Sequence, residues 1–227
     1  MSGHEHVHGH DHDGTSADLP DLGADFWNER YSSAPVIWDG RPNPQLVTEA
    51  GELAPGRALD VGCGEGADAL WLAEQGWTVT AVDISTVALA RAEEHGQQAG
   101  DDVAARITWK RADLTAWAPA PSSFDLISAQ FMHVPVDQRS SLHAGLAAGV
   151  APGGVLLIVG HHPLDLETGL RRPPRPDLLF TADDAVGALD PSQWEVFAAE
   201  SRPRVVTGTD GNDVTAHDSV LLARRRS

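Results

Sequence analysis

The run Ala58-Leu59-Asp60-Val61-Gly62-Cys63-Gly64-Glu65-Gly66 sets three glycines where a short apolar segment gives way to a helical pattern. Glycines at such a turn let the backbone approach a ligand closely and adopt angles closed to other residues. The helix N-terminus that follows offers unpaired N–H groups to negative charge. Asp60 stands two residues before the first glycine, at a strand end where a carboxylate can neutralise a ligand ammonium. Asp83 follows 21 residues after Gly62, a spacing at which an acid takes two ribose hydroxyls. Asp113, in Arg111-Ala112-Asp113-Leu114, falls just past a third strand, placed to accept from an adenine amino group. Gly62, Gly64 and Ala67 also satisfy the G-x-G-x-x-G/A dinucleotide pattern, so a nicotinamide-dependent oxidoreductase competes at this point. Cys63 has no histidine beside it in sequence and reads as a small packing residue rather than a nucleophile.

A second group of residues suits the reacting partner. His133, His161 and His162 are the candidate bases, because imidazole titrates near neutral pH. The adjacent pair His161-His162 is expected to split, one ring inward and one outward. Trp27, Tyr31, Trp38, Phe131 and Met132 supply an apolar, aromatic wall for a small organic ligand. A third cluster, His4, His6, His8, His10 and His12, alternates through an N-terminal tail. Imidazoles at that density pick up divalent metal, but a catalytic site needs a rigid scaffold. The tail reads as a disordered segment, 1–22, with incidental metal affinity, and no catalytic metal is expected.

These residues have to be positioned by alternating strands and helices, the pattern of a parallel sheet covered on both faces. The periodicity predicts helices over Phe26–Tyr31, Gln45–Leu53 and Ala67–Gln75, the last closed by Gly76. Strands are expected over Ala58–Val61, Trp77–Val82, Ile107–Lys110, Asp125–Ser128 and Val155–Val159. Ser85 caps a helix that should end at His95-Gly96, and another helix runs from about Asp137 to Val150. Thr181–Gly187 reads as a short helix. Glu195–Ser201 and Ala216–Ala223 read as a closing hairpin around Asp210–Asp213, while Pro163–Pro176 suits a lid rather than a central element.

Composition excludes several classes. The 227 residues suit one domain, 23–227 beyond the tail, with 41% hydrophobic and 22% charged residues. No apolar run approaches the ~20 residues of a membrane span. One cysteine allows no intrachain disulfide and fits a reducing cytoplasm. Sixteen basic against 33 acidic residues leave a net charge of −17, a poor match for a phosphate backbone. Neither nucleic acid nor membrane is an expected partner; a small molecule is.

Taken together, the glycine loop, Asp83, Asp113 and Pro152-Gly153-Gly154 before the most apolar strand resemble a class I S-adenosylmethionine-dependent methyltransferase. The resemblance covers residues 24–223. It implies an α/β fold: a Rossmann-like seven-stranded sheet of order 3-2-1-4-5-7-6, strand 7 antiparallel, with helices on both faces. It implies S-adenosylmethionine as cofactor, with Asp60 and the Gly62, Cys63, Gly64 and Gly66 backbone around its methionine part. Asp83 and Ile84 would then meet the ribose, Ala112, Asp113 and Leu114 the adenine, and Trp38 and Gln130 would complete the cofactor site. Trp27, Tyr31, Phe131 and Met132 would line the acceptor site. Phe26-Trp27-Asn28-Glu29-Arg30-Tyr31, Trp38 and Pro42-Asn43-Pro44 resemble the opening segment of tellurite-resistance and thiopurine S-methyltransferase-like enzymes. That similarity favours a thiol acceptor, with O-methylation of a phenol or quinol as the alternative. The motifs of DNA-base amino methylation, cytosine C5 methylation and ribose methylation are missing.

Overall fold

The structure, a computed structural model, describes residues 22–35, 40–168, 170, 175–207 and 211–227. The histidine run, Trp38, the stretch 171–174 of the expected lid and part of the hairpin turn lie outside the described residues.

Seven strands form one sheet: β1 Arg57–Val61, β2 Thr78–Asp83, β3 Ile107–Arg111, β4 Phe124–Gln130, β5 Val150–His161, β6 Trp194–Thr207 and β7 Asp213–Arg225. Their order is β3-β2-β1-β4-β5-β7-β6, with β1 to β5 parallel and β7 antiparallel to both neighbours. The expected α/β sheet, order and antiparallel strand included, is what the chain adopts.

Central strands of such a sheet are buried on both faces and therefore read as unbroken apolar runs. On one face Leu59, Val61, Ile127, Leu156 and Ile158 pack with Leu142 and Leu146 of helix α6, Val136–Gly149. On the other, Ala58, Leu126, Leu157 and Val159 pack against α2, Pro44–Ala50, and α3, Ala67–Glu74. Each fully buried leucine among them contributes roughly 1.5–3 kcal/mol. Alternation along β1 then sends Asp60 to the second face, just below the point where the strand turns into the glycine loop.

Several expected boundaries need correction. Helix α4, Thr86–Ala99, runs through Gly96, because this glycine lies against the Trp109 ring and keeps helical geometry; the break falls at Gly100, φ +112°. A short α5, Asp101–Ala104, follows it. Helix α2 ends at Ala50, three residues before the expected end. Strand β5 begins at Val150 rather than Val155, because a register shift opposite Phe124 and Leu126 absorbs Pro152-Gly153-Gly154. A Cβ on Gly154 would stand 2.9–3.0 Å from Ala151 O, Val150 Cγ1 and Asp125 O, so no larger residue fits that bulge.

The closing hairpin is also longer than periodicity suggests, with strands of 14 and 13 residues. β6 is an edge strand with one neighbour, so its residues need no apolar alternation, and it tolerates Pro203. Its backbone bonds to β7 hold it. The extra length carries Arg202 level with the end of β5 and Arg204 past it, at the end of the sheet where the glycine loop lies.

The segment before the sheet is a cap fastened at three points. Asn28 of α1, Ala24–Ser32, accepts from Ser85 Oγ at 2.8 Å, and Ser85 Oγ in turn accepts from Ala88 N as the cap of α4. Arg91 bridges Glu65 Oε1 (2.7 Å) and Ala34 O (2.9 Å). Asn43 donates from its backbone N and its Nδ2 to the Asp68 carboxylate at 2.7 and 2.8 Å. All three fastenings reach elements that flank the glycine loop or Asp83.

Candidate active site

The glycine loop owes its shape to positive φ at Gly62 (+71°), Gly64 (+53°) and Gly66 (+91°). Gly62 and Cys63 both donate to Val82 O, which ties the loop to β2. A Cβ on Gly62 would come within 2.3 Å of Met132 Sδ, so the side chain after β4 lies directly on the loop. Asp83 supports it from β2: Oδ2 accepts from Gly64 N at 2.9 Å and Oδ1 from Ser85 N at 2.8 Å. Each carboxylate oxygen can accept twice, so both keep capacity for a hydroxyl donor.

Beneath the loop lie two buried acceptors that have no hydrogen-bond partner among the described residues, Asp60 Oδ2 and Gln130 Oε1. They sit on neighbouring strands. Asp60 pairs with Ser128 in register, and Gln130 Nε2 donates to Ser128 Oγ at 3.0 Å. Buried acceptors are nearly always paired in native proteins, and an orphan costs about 1–3 kcal/mol. Burial pushes the Asp60 carboxyl well above its ordinary range, and the charges of Asp68 and Asp83 push it further. Burial also raises Asp68, against the bonds from Asn43, and Asp83, against the bonds from Ser85 and Gly64. This is an acceptor-rich, negatively biased pocket. A cationic ligand with N–H donors satisfies it.

The remaining cofactor candidates flank that pocket. Ala112 N donates to Asp83 O at 2.9 Å, which places the β3 exit beside Asp83. Ile84 lies between Asp83 and the cap of α4, and its carbonyl accepts from Arg111 Nε. Asp113 is exposed; its Oδ1 accepts from Thr115 N and Thr115 Oγ1 at 2.9 and 2.7 Å, so the residue forms its own turn. Leu114 packs partly into the core. Burial pushes the Cys63 thiol up, which keeps it protonated and suits a packing role.

The acceptor candidates converge through ring contacts. Tyr31 and Trp27 rings lie 6.3 Å apart, Trp27 and His133 5.5 Å, His133 and His161 5.8 Å, and His161 and Phe131 4.7 Å. Three segments distant in sequence thus form one continuous wall beside the glycine loop. Phe131 holds a left-handed backbone at φ +53°, a conformation that costs a non-glycine residue about 1–2 kcal/mol. Its N–H donates to Val159 O at 2.7 Å, and that bond holds the strained turn in place.

His162 is not part of this wall. Its Nδ1 accepts from Leu164 N at 3.1 Å and caps the 3-10 turn Pro163–Leu166, and its ring lies near His217. The two rings of the pair have different neighbours: His161 meets Phe131 and His133, and His162 meets His217. Trp38 lies outside the described residues. Met132 contributes at the glycine loop rather than to the ring series.

Sequence reasoning missed the residues that hold these parts together. Asp68 has no motif and Asn28 has no singled-out role within the cap segment, and only their contacts reveal what they hold. Arg139, 7% exposed on α6, donates to the carbonyls of Val134, Asp177 and Leu179 and so ties the β4 loop to the segment after β5. Asp218, 1% exposed, did leave a signal, being an acid inside the apolar strand Ala216–Ala223.

Known proteins share this arrangement. Residues 58–154 match the family model described as a methyltransferase domain. A 2-heptyl-1-hydroxyquinolin-4(1H)-one methyltransferase of Mycobacteroides abscessus is 29% identical over 135 residues, 58% of this chain and 58% of the relative. A ubiquinone biosynthesis O-methyltransferase of Pseudomonas entomophila is 33% identical over 132 residues, 56% of this chain and 54% of the relative. The chain therefore spans a little over half the length of these relatives. Among solved structures, one described by the conversion of a disulfide bond into a thioacetal group during echinomycin biosynthesis superposes with a TM-score of 0.69. It is 22% identical, over 89% of this chain and 92% of that one.

The sheet ends in an antiparallel hairpin and the loop region matches a methyltransferase model, so the dinucleotide reading of Gly62, Gly64 and Ala67 falls away. S-adenosylmethionine, the cofactor this family implies, carries an ammonium and a sulfonium, and the orphan acceptors, the three buried acids and the glycine cradle fit it. Residues 58–154 thus match a methyltransferase domain and lie in a sheet of the order that the resemblance to class I S-adenosylmethionine-dependent methyltransferases implies.

Proposed function

We propose that this protein methylates a small organic acceptor from S-adenosylmethionine, with a thiol as the favoured nucleophile. The observation that carries the reading is the pair of orphan acceptors, Asp60 Oδ2 and Gln130 Oε1, buried beneath the glycine loop and next to the ring-lined wall. When bound, S-adenosylmethionine supplies a methyl group on a positively charged sulfur, which leaves as the neutral thioether.

The chain's own work is alignment. Asp60 and Gln130 hold an ammonium, and the glycine-loop backbone and Asp83 hold the rest of the cofactor. Trp27, Tyr31 and Phe131 stack a planar acceptor and exclude water. In-line placement of two reactants is worth several kcal/mol of barrier, and a one-step displacement needs little else. A thiol with a pKa near 8.5 is already a few per cent thiolate at neutral pH, so its proton leaves without a strong base. The cap's similarity to S-methyltransferase-like enzymes supports the thiol, and a cytoplasmic setting suits a chain with a single cysteine.

A phenol or quinol acceptor is the second reading. The 5.8 Å His133–His161 pair favours it, since a hydroxyl needs a base at hand, and so does the O-methyltransferase activity of a relative. Adenosylhomocysteine release from acceptors that differ only in SH or OH separates the two. Release confined to the thiol, with His133→Ala and His161→Ala each costing little, supports S-methylation. Release from the hydroxyl partner, abolished by either change, replaces it with O-methylation. No release from any acceptor, with adenosylhomocysteine binding absent, overturns both.

A further inference from the structure

The hairpin delivers one group to the acceptor wall that the methyl-transfer reading leaves unused. Arg204 of β6 reaches diagonally across the ladder to the buried Asp218, and its Nε donates to both carboxylate oxygens at 2.9 and 3.0 Å. Gln45 Nε2 of α2 donates to the same carboxylate at 3.4 Å. Asp218 lies opposite His161 on β5, so this anchor stands beside the catalytic wall. The guanidinium carbon lies 5.6 Å from the centre of the Phe131 ring, which also lies 4.7 Å from the His161 ring.

Both bonds to Asp218 leave from Nε. The Nη1 and Nη2 groups make no hydrogen bond among the described residues, and the side chain keeps 32% exposure. A guanidinium held by Nε and set over an aromatic ring presents the Nη1–Nη2 edge as a fork. That edge matches the two oxygens of a carboxylate. The setting sharpens the contrast, because a chain of net charge −17 repels anions in general and needs a local cation to admit one. Arg202, two residues earlier, cannot serve in its place: its donors go to Gln45, Glu49 and Glu200.

We infer that Arg204 is a specificity residue whose Nη1–Nη2 fork binds a carboxylate on the acceptor, so that the enzyme's substrates are small aromatic or planar organic acids. The inference rests on the acceptor site proposed above. Phe131 is then the shared floor, with the fork at one edge and His161 at the other. The acid group docks on Arg204, and the nucleophile turns toward the glycine loop and Met132.

The test uses the full chain with 4-mercaptobenzoate and 4-mercaptobenzamide, acceptors that differ only in the acid group. Binding of each to the adenosylhomocysteine-saturated protein is measured by calorimetry, and turnover by adenosylhomocysteine release. The wild-type protein should favour the carboxylate by roughly 10- to 100-fold in affinity and in KM, with similar kcat. Arg204→Gln should bring that preference to within about threefold. Arg204→Lys, which keeps the charge but not the fork, should keep only part of it. Should Arg204→Gln unfold the hairpin, seen as a lost circular dichroism transition, the lysine variant and the wild-type preference decide the matter alone.

A wild-type protein with no preference for the carboxylate, or a full preference retained in Arg204→Gln, overturns the inference. A preference seen in calorimetry without any methyl transfer leaves the anion site standing and removes the thiol acceptor of the proposed function instead. The two failures are thus told apart.

Discussion

The two halves of the site are built in different ways. The cofactor half is local: Asp60, Gly62, Gly64, Gly66 and Asp83 lie within 24 residues, on two adjacent parallel strands and the turn between them. Its contacts are mostly backbone, as in Gly64 N to Asp83 and the Gly62 and Cys63 bonds to Val82 O. The proposed acceptor half is assembled from α1, the β4 loop and the end of β5, and its contacts are ring against ring. Backbone cradles bind what is common to a family, and side-chain walls built from distant segments are free to diverge. The difference teaches where to look for this protein's individuality.

The strongest way to break the comparison is to remove the cofactor half's charge. Asp60→Asn should weaken adenosylhomocysteine binding by roughly 10- to 100-fold, the worth of a charge-assisted bond in a buried site. The same change removes a carboxylate that burial and its neighbours Asp68 and Asp83 penalise, so the ligand-free protein should melt no lower than the wild type. Thermal shift with and without ligand reads both. A large loss of ligand-free stability would show Asp60 to be structural.

Acid separates the halves next. On the acceptor side His143 is 4% exposed, and burial, aided by the Arg139 charge, lowers its pKa to about 4. The unfolded chain takes up that proton near pH 6.5, so stability is full above pH 6.5 and is lost as pH falls toward 4, by about 3 kcal/mol. The raised Asp60, Asp68 and Asp83 act in the opposite sense: their penalty is full above their raised pKa values and lifts as pH falls toward the ordinary carboxylate range. His143→Leu should remove the acid-labile part and leave a protein that gains stability between pH 6.5 and 4. Urea denaturation at a series of pH values checks the sign.

Paired glycine changes sharpen the contrast further. Gly62→Ala meets Met132 Sδ at 2.3 Å and a φ of +71°, and Gly160→Ala meets the Phe180 ring at 2.2 Å. Each should cost about 1–3 kcal/mol. Gly62→Ala should chiefly damage cofactor affinity and Gly160→Ala acceptor KM; equal effects on both ligands would show that the halves are not separable. The smallest expected effect is Asn28→Ala, which removes the acceptor for Ser85 Oγ and should cost about 1 kcal/mol. Because Asn28 belongs to the cap yet touches the strand exit beside Asp83, a measurable change in both affinities would mark it as the joint between the halves.

The sequence was most legible where a residue's role depends on its near neighbours. Asp60, the glycines and Asp83 stand out by spacing as candidates that the fold brings together, and the buried strands stand out by unbroken apolar runs. The sheet order, in contrast, came through resemblance to a family and not through periodicity. Gly96 misled because a glycine inside a helix looks the same in sequence as one that ends it; the Trp109 ring beside it decides which. β6 was shortened because an edge strand does not need the alternation that marks a half-buried one.

What the sequence determined by itself is the chemistry of the cofactor loop and the alternation that builds a parallel sheet, because both are set by contacts a few residues apart or by a repeating pattern. What only the tertiary structure decided is the acceptor wall. His133 and His161 meet while His162 turns away to cap Leu164, and Arg204 reaches the site because the hairpin runs on past the end of β5. Those facts depend on register and packing between segments far apart in the chain, and no local spacing encodes them.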